Sequence, residues 1–308
     1  MAGPSAAAMT IPADPFHSLR PRLQGIAYRM LGSVAEAEDV VQDIWIRWDA
    51  AAGTGVDNPE AWLVAATTRL AIDRLRTARV QRRHYEGIWL PEPRWDDGPA
   101  TPEQISVLAD DVSVAFLMLL ERLAPEARAA FLLREVFDAD YADIASTLGK
   151  SEAACRQIVS RAKAAIGKAG PRPAVSRDAH AALMLRFARA LSAGDFSALQ
   201  GLLADNAQLV SDGGGKVKSF LAPLLGNRRI AQLFYAAHLR FGERVRIEPA
   251  LLNGHMAVLR FIDGVLESAQ SYETDGRQIL RVQVQRNPDK LARIAAARYS
   301  RSSITSVR

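Results

Sequence analysis

Apolar positions along the chain change period three times. In "AEAEDVVQDIWIRWDAA", Val40, Val41, Ile44 and Trp48 recur at helical spacing, with acids on the opposite face. The next stretch, "TGVDNPEAWLVAATTRLAIDRLRTARVQRRH", opens with Asn58 as a cap and Pro59 at the first helical position. Trp62, Ala66, Leu70 and Leu75 make its expected apolar stripe, and residues 14–88 read as helices. Over residues 89–112 the pattern stops, because Pro91, Pro93, Pro99 and Pro102 lack the amide donor that a helix needs. This linker carries Trp89 and Trp95, which are costly in water and should pin it to a surface. Helical spacing returns over residues 113–168. After "LAPEARAAFLLREVF" come a short helix (Tyr141–Leu148), a turn at Gly149 and a second helix capped by Ser151. Ile144, Ala145 and Ile158 fall where two steeply crossed helices would pack, as in a helix-turn-helix. Beyond Gly170, Pro171 and Pro173, residues 175–295 predict two amphipathic helices and then strands, with turns at Asn253-Gly254, Asp263-Gly264 and Asp275-Gly276. Helices followed by a run of antiparallel strands predict an α+β domain, leaving residues 296–308 as a C-terminal tail.

Composition bounds this reading without deciding it. A chain of 308 residues that is 49% hydrophobic has material for about two domains at ~150 residues each. Its net charge of +5 mildly favours an anionic partner. The single cysteine, Cys155, excludes an internal disulfide and reads as a small buried thiol. The N-terminus lacks a basic segment followed by an apolar one, and no apolar run approaches 18 residues. A cytoplasmic protein with no membrane contact is expected.

The distribution of charge is more telling than its sum. Arg69, Arg74, Arg76, Arg79, Arg82 and Arg83 lie within fifteen residues, more than a helix dipole requires, and point to nucleic acid. Arg156, Gln157, Ser160, Arg161 and Lys163 share one side of the second helix of the helix-turn-helix, with the chemistry to read base edges and hold phosphates. The segment "DGGGKVKS" lacks the GxxxxGK[ST] spacing of a phosphate loop. Its glycines suit close backbone approach, with Asp212 and Lys216 pairing to a facing surface. In the α+β segment, Tyr235, His238, His255, Asp263 and Tyr272 have acid-base chemistry. Their first reading is nevertheless that of ordinary edge or core residues.

Together these motifs resemble a known family. "AEDVVQDIWIRW" with "NPEAWLVAATTRLAIDRLR" resembles region 2 of a bacterial RNA polymerase sigma factor, and the segment from "LAPEARAAF" to "SRAKAAI" resembles region 4. Two such regions alone are the layout of the extracytoplasmic-function sigma factors. The tail resembles a SnoaL-like cone-shaped α+β domain. A SigJ-like subgroup fuses all three and carries signatures similar to "WLPEP" (Trp89, Leu90, Pro91, Glu92, Pro93), "DGGGK" (Asp212, Gly213, Gly214, Gly215, Lys216) and "NPDKL" (Asn287, Pro288, Asp289, Lys290, Leu291).

The resemblance implies a multidomain protein: two all-α sigma modules, a linker and an α+β regulatory domain. It implies core RNA polymerase and promoter DNA as partners, no cofactor, no metal and no catalysis. Asp39, Gln42, Asp43 and Trp48 would meet the polymerase. Asn58, Arg69, Asp73, Arg74, Arg76 and Arg79 would meet the minus-ten element, where many relatives have asparagine in place of Arg69. Ser151, Arg156, Gln157, Ser160, Arg161 and Lys163 would read the minus-thirty-five element. The three short signatures would form a contact by which the tail restrains the sigma modules, and a small-molecule ligand in the tail is a further expectation. Two other readings stay open here: a helix-turn-helix regulator with a metabolite-sensing tail, and an enzyme with a DNA-binding leader.

Overall fold

Local signals set each helix of the first half. The structure, a computed structural model, describes residues 14–51, 55–96, 113–167 and 175–305. Pro99, Pro102, Gly170, Pro171 and Pro173 lie outside the described residues. Helix α1 (Pro15–Leu31) starts where the Asp14 carboxylate accepts from Phe16 N at 3.0 Å, and stops at Gly32, whose φ of 69° is left-handed. Helix α2 (Val34–Ala51) buries Val40, Val41 and Ile44. Helix α3 (Pro59–Arg82) is capped by Asn58 Oδ1, which accepts from Ala61 N at 3.0 Å. Its buried arc is Leu63, Val64, Thr67, Thr68, Ala71, Ile72, Leu75 and Ala78, so the expected stripe is offset. Trp62, Ala66 and Leu70 are only partly buried. The reason is tertiary: α3 packs against α1 and α2 and also against the helices of residues 113–167, which needs more than one face.

The second helical unit comprises α4 (Val114–Leu120), α5 (Pro125–Glu135), α6 (Tyr141–Leu148) and α7 (Glu152–Gly167). Gly149, with φ 64°, ends α6, and Ser151 Oγ accepts from Ala154 N at 3.3 Å at the start of α7. Ile144, Cys155, Val159 and Ala162 are buried between α5, α6 and α7, and burial pushes the Cys155 thiol pKa up. The two helical units do not stand apart. One hydrophobic cluster runs from Leu23, Ile26 and Met30 through Leu75 to Leu117, Leu120 and Leu132. The buried Arg128 stitches it, donating from Nε to Leu120 O at 2.8 Å and from Nη1 to Met30 O at 2.7 Å, with Glu121 at 2.8 Å as counter-charge.

The tail begins with α8 (Arg177–Ala193) and α9 (Phe196–Leu202) and continues as β1 (Leu203–Asp212), β2 (Leu224–Leu225) and α10 (Asn227–Phe241). Strands β3 (Val245–Leu252), β4 (His255–Ile262), β5 (Val265–Thr274) and β6 (Ile279–Gln285) follow, then α11 (Pro288–Thr305), which runs past the expected boundary at 295. The sheet order is β2-β1-β6-β5-β4-β3. Asn253-Gly254 (φ 52° and 75°) and Asp263-Gly264 (φ 52° and 80°) make the left-handed pairs that tight hairpins require. One ladder departs from the expected antiparallel run: β1 lies parallel to β6. The chain between them crosses back through α10 and the β3–β5 meander, which places β1 beside the last strand. Phe187, Leu199, Phe234 and Val282 fill the core between α8–α10 and one sheet face. The other face packs Ala250, Leu252, Leu259 and Ala269 under Leu291 and Ile294 of α11 and Trp95 of the linker.

Candidate nucleic-acid interface and interdomain latch

The residues expected to read the minus-thirty-five element lie at the helix-turn-helix surface. Ser151, just before α7, and Arg156, Gln157, Ser160, Arg161 and Lys163 on it are all exposed. Arg156 pairs with Glu152 at 2.7 Å and lies 4.8 Å from the Tyr141 ring; Lys163 pairs with Glu135 at 2.7 Å. Exposed pairs of this kind contribute roughly 0.2–1 kcal/mol and exchange readily for phosphate.

The arginines of α3 have a different environment. Arg69 donates from Nε to Thr147 O and from Nη2 to Ser146 O, both at 2.9 Å. Those carbonyls belong to the last turn of α6, where a helix has acceptors without internal partners and attracts cations. Arg76 bridges Asp73 at 2.9 Å and Glu126 at 2.8 Å. Arg79 donates to Glu121 O at 2.9 Å and to Leu123 O. Arg82 pairs with Glu121 at 2.8 Å, donates to Leu31 O at 2.7 Å and lies 3.5 Å over the Trp89 ring. Arg74 pairs with Asp43 at 2.7 Å. Asn58, Trp62, Ala66 and Arg69 line an open cavity of about 560 Å³ with Ser146 on its rim, whereas Asp73 is not in its lining.

On α2, Asp39 and Gln42 are exposed and Asp43 is half-buried. Trp48 departs from the expected polymerase-facing group. It packs against the core, donates from Nε1 to Asp14 Oδ1 at 3.1 Å and has its ring 5.7 Å from that of Trp62.

The three short signatures converge. Asp212 is fully buried. Its Oδ1 accepts from Tyr85 OH at 2.6 Å and Gly214 N at 2.9 Å. Its Oδ2 accepts from Leu90 N at 2.9 Å and Lys290 Nζ at 2.8 Å. Burial lowers the Lys290 pKa, and the Asp212 charge opposes that shift. Lys290 also donates to Leu90 O at 2.6 Å, so one ammonium links tail, linker and carboxylate. Leu90, not Trp89, is the buried anchor of the linker; Trp89 is half-buried between the Arg82 and Lys290 cations, the latter 4.4 Å from its ring. Glu92 is buried and caps α2, accepting from Val34 N at 2.8 Å and Ser33 Oγ at 2.9 Å. Pro91 and Pro93 are buried beside it. Asn287 Oδ1 accepts from Asp289 N at 3.1 Å as Pro288 opens α11, and Leu291 is buried under the sheet.

The glycines serve close approach. A Cβ on Gly213 would lie 2.2 Å from Val217 O, and one on Gly214, whose φ is 65°, would lie 2.3 Å from Asn287 Nδ2. Gly215 faces Glu86. The expected role of Lys216 is corrected: it pairs at 2.6 Å with Asp289 of the tail itself, and both side chains are exposed.

Sequence reasoning missed four contributors. Tyr85 donates to Asp212. Buried Tyr28 donates to Glu92 O at 2.8 Å and accepts from Asn253 Nδ2 at 2.7 Å. Asn253 also exchanges backbone contacts with Arg94, at 3.0 Å through its side chain and 2.9 Å through its amide. Gln285 reaches Pro91 O at 3.4 Å. Asn253 had been legible only as a turn residue, and an aromatic near "WLPEP" was the one available hint of Tyr85.

The acid-base candidates of the tail are scattered. Asp263 sits in an exposed turn paired with Arg244, which holds its carboxyl below the usual range, and Tyr235 is exposed. His238 lies against Gly194. Only Tyr272 and His255 line a common cavity. Among the described residues there is no cluster of three His, Cys, Asp or Glu side chains able to hold a metal, and no helix is long and apolar enough to cross a membrane.

Comparison with known proteins agrees with this geometry. Residues 16–80 match the Sigma-70 region 2 family and residues 113–166 match Sigma-70, region 4. The chain is 37% identical over 248 residues to the ECF RNA polymerase sigma factor SigJ of Mycobacterium tuberculosis, covering 78% of each protein. It is 28% identical over 277 residues to a probable ECF RNA polymerase sigma factor, SigI, of the same species, covering 88% of this chain and 92% of that one. The crystal structure of the M. tuberculosis extracytoplasmic function sigma factor SigJ superposes with a TM-score of 0.72 at 32% identity, over 90% of this chain and 97% of that one, α+β tail included. Two sigma modules in order, an exposed second helix of the helix-turn-helix and a likeness that continues through the tail lead to one conclusion: this chain belongs to the ECF RNA polymerase sigma factors, the DNA-binding factors of transcription initiation.

Proposed function

We propose that this sigma factor is held in cis by its tail in an arrangement unsuited to the promoter, and that core polymerase and DNA draw it open. The observation that carries this reading is the engagement of Arg69, Arg76, Arg79 and Arg82 by carbonyls and carboxylates of α4–α6 and the segments beside them. Groups suited to the minus-ten element contact the other module, Arg79 and Arg82 half-buried and Arg69 and Arg76 still exposed, while the α7 residues meet only solvent and surface pairs. Two promoter elements some seventeen base pairs apart are separated by roughly 58 Å at ~3.4 Å per pair. Two modules sharing one core must therefore part to grip both.

Asp39, Gln42 and Asp43 are the proposed polymerase contact. Asn58 and the α3 arginines are the proposed minus-ten contact, with the cavity beside Asn58 and Arg69 the place for an extruded base. The exposed α7 residues are the proposed minus-thirty-five contact. The latch of Asp212, Lys290, Tyr85 and Leu90 is the proposed restraint. Tethering makes tail docking intramolecular, so a weak contact suffices at effective concentrations of around millimolar. The chain itself performs no bond chemistry in this reading.

The test is transcription with purified core polymerase, alongside solution scattering of the free protein. Asp212→Asn and Lys290→Met should enlarge the free protein and change promoter-dependent output. Unchanged dimensions and unchanged transcription in both variants would defeat the restraint.

A further inference from the structure

The sheet of the tail contains a split. The β4–β5 ladder runs from Ile262↔Val265 to Val258↔Gln270 and stops there. Strand β4 nevertheless continues back to His255, paired with Leu252 of β3, and β5 continues forward to Thr274, paired with Ile279 of β6. The two strands diverge, each holding its outer neighbour. His180 of α8 reaches into the opening and takes Met256 O at 2.9 Å, a carbonyl beyond the end of the β4–β5 ladder. A cavity of about 150 Å³ occupies the split.

Its lining combines both halves of the molecule. Tyr272, Thr274 and Met256 come from the tail, while Val114 and Ala115 come from the first turn of α4 in the region 4 module. Two lining residues carry unmet polar demand: Gln283 (2% exposed) and Thr274 (7% exposed) have side-chain oxygens, Oε1 and Oγ1, without a hydrogen-bond partner among the described residues. Burying such a group unpaired costs about 1–3 kcal/mol, and natural interiors rarely keep one without a use. The Gln283 Oε1 is an acceptor, and the amide's orientation is fixed because Nε2 donates to Glu273 Oε1 at 2.9 Å. Glu273 is in turn neutralised by Arg281 at 2.9 Å. The cavity therefore asks for a donor beside Gln283, where the Glu273 charge is compensated; the exposed Arg177 also lines it. A volume of this size accommodates a single six-membered ring.

We propose that this split is a binding site for an uncharged, ring-sized molecule bearing a hydroxyl or amide donor. The donor meets Gln283 Oε1, and the ring lies against Met256, Val114 and Ala115. Because α4 forms one wall, occupancy also steadies the contact between tail and region 4. That second step rests on the restraint proposed above; the site itself does not.

The test titrates the full-length chain by NMR with phenol and with fluorobenzene, which matches it in size but cannot donate. Phenol should bind at least fivefold more tightly. Gln283→Met and Thr274→Val should each reduce that preference, and Ser271→Phe, which fills the split, should abolish binding of both probes. Amide hydrogen exchange over Ser113–Ala115 should slow when phenol is present. Equal affinity for the two probes, or phenol binding indifferent to Thr274→Val and Ser271→Phe, overturns the site; this holds even if Gln283→Met fails to fold. Unchanged exchange at α4 with phenol bound overturns the coupling. Neither measurement contains polymerase or DNA, so failure of the restraint, which is read by transcription and scattering of the Asp212 and Lys290 variants, is seen separately.

Discussion

Helices α3 and α7 carry similar basic chemistry and meet different partners. The α7 residues are exposed and held by surface pairs such as Lys163–Glu135. Several α3 arginines reach across to region 4, Arg69 to the end of α6 and Arg79 to the carbonyls of Glu121 and Leu123, whereas Arg74 pairs with Asp43 of α2. An arginine cluster is thus an inventory of donors and not yet a DNA site. Whether it is available depends on which acceptors the fold brings near. Arg69 and Arg76 of α3 are as exposed as the α7 residues, so the two helices differ in their partners, which for α3 lie in the other module.

The largest expected effect bears on what keeps the two halves in that arrangement. Asp212→Ala leaves the mostly buried Lys290 ammonium without its counter-charge, at a cost of about 3–5 kcal/mol. Scattering should then report a larger particle and urea an earlier transition for the tail. A wild-type profile would show that the latch does not hold α3 closed.

The next effect separates the two helices directly. Arg69→Met and Arg79→Met each remove charged donors from carbonyls, worth about 1.5–3 kcal/mol per bond, and should loosen the free protein. Arg161→Ala on exposed α7 should leave compactness unchanged and reduce the salt slope of duplex binding by about one. If the α3 and α7 variants behaved alike in scattering, the contrast between the helices would be lost.

Smaller still is a glycine pair. Gly149→Ala meets open space and bears only left-handed strain, about 1–2 kcal/mol. Gly214→Ala bears the same strain and also drives its Cβ into Asn287, so it should lower the tail's unfolding midpoint further. Thermal melts of the two variants compare them.

The smallest effect is a pH dependence of the tail. Burial, the leading cause, depresses the His180 pKa below its ordinary value of about 6.5. The folded protein keeps this imidazole neutral where the unfolded chain protonates it. Its contribution is therefore complete above about pH 6.5 and lost as pH falls below it. Urea midpoints at pH 7.5 and 5.5 should fall more steeply in wild type than in His180→Gln.

Much of the architecture was readable from local chemistry. Asn58 and Ser151 cap the helices they were expected to start, Gly149 ends α6, and the Asn253-Gly254 and Asp263-Gly264 turns form hairpins. These signals act over a few residues and survive any tertiary setting. The reading was weaker where a residue's partner is remote. Trp48 looked like part of a polymerase face and instead packs on Trp62, because an indole at a helix end carries no mark of which side it will bury. Lys216 looked like a cross-domain partner, yet the glycines beside it let the loop turn it toward Asp289. Tyr28 and Asn253, 225 residues apart, share a hydrogen bond that no periodicity announces.

The sequence by itself determined the elements, their order, the charge inventory and the family, since caps, turns, periodicity and motifs are local and additive. Only the tertiary structure decided which acceptors the α3 arginines meet, which carboxylate is buried at the latch, and that the two sigma modules share one core. Those outcomes depend on complementarity between distant surfaces, where a donor's role is set by the acceptor the fold places opposite it.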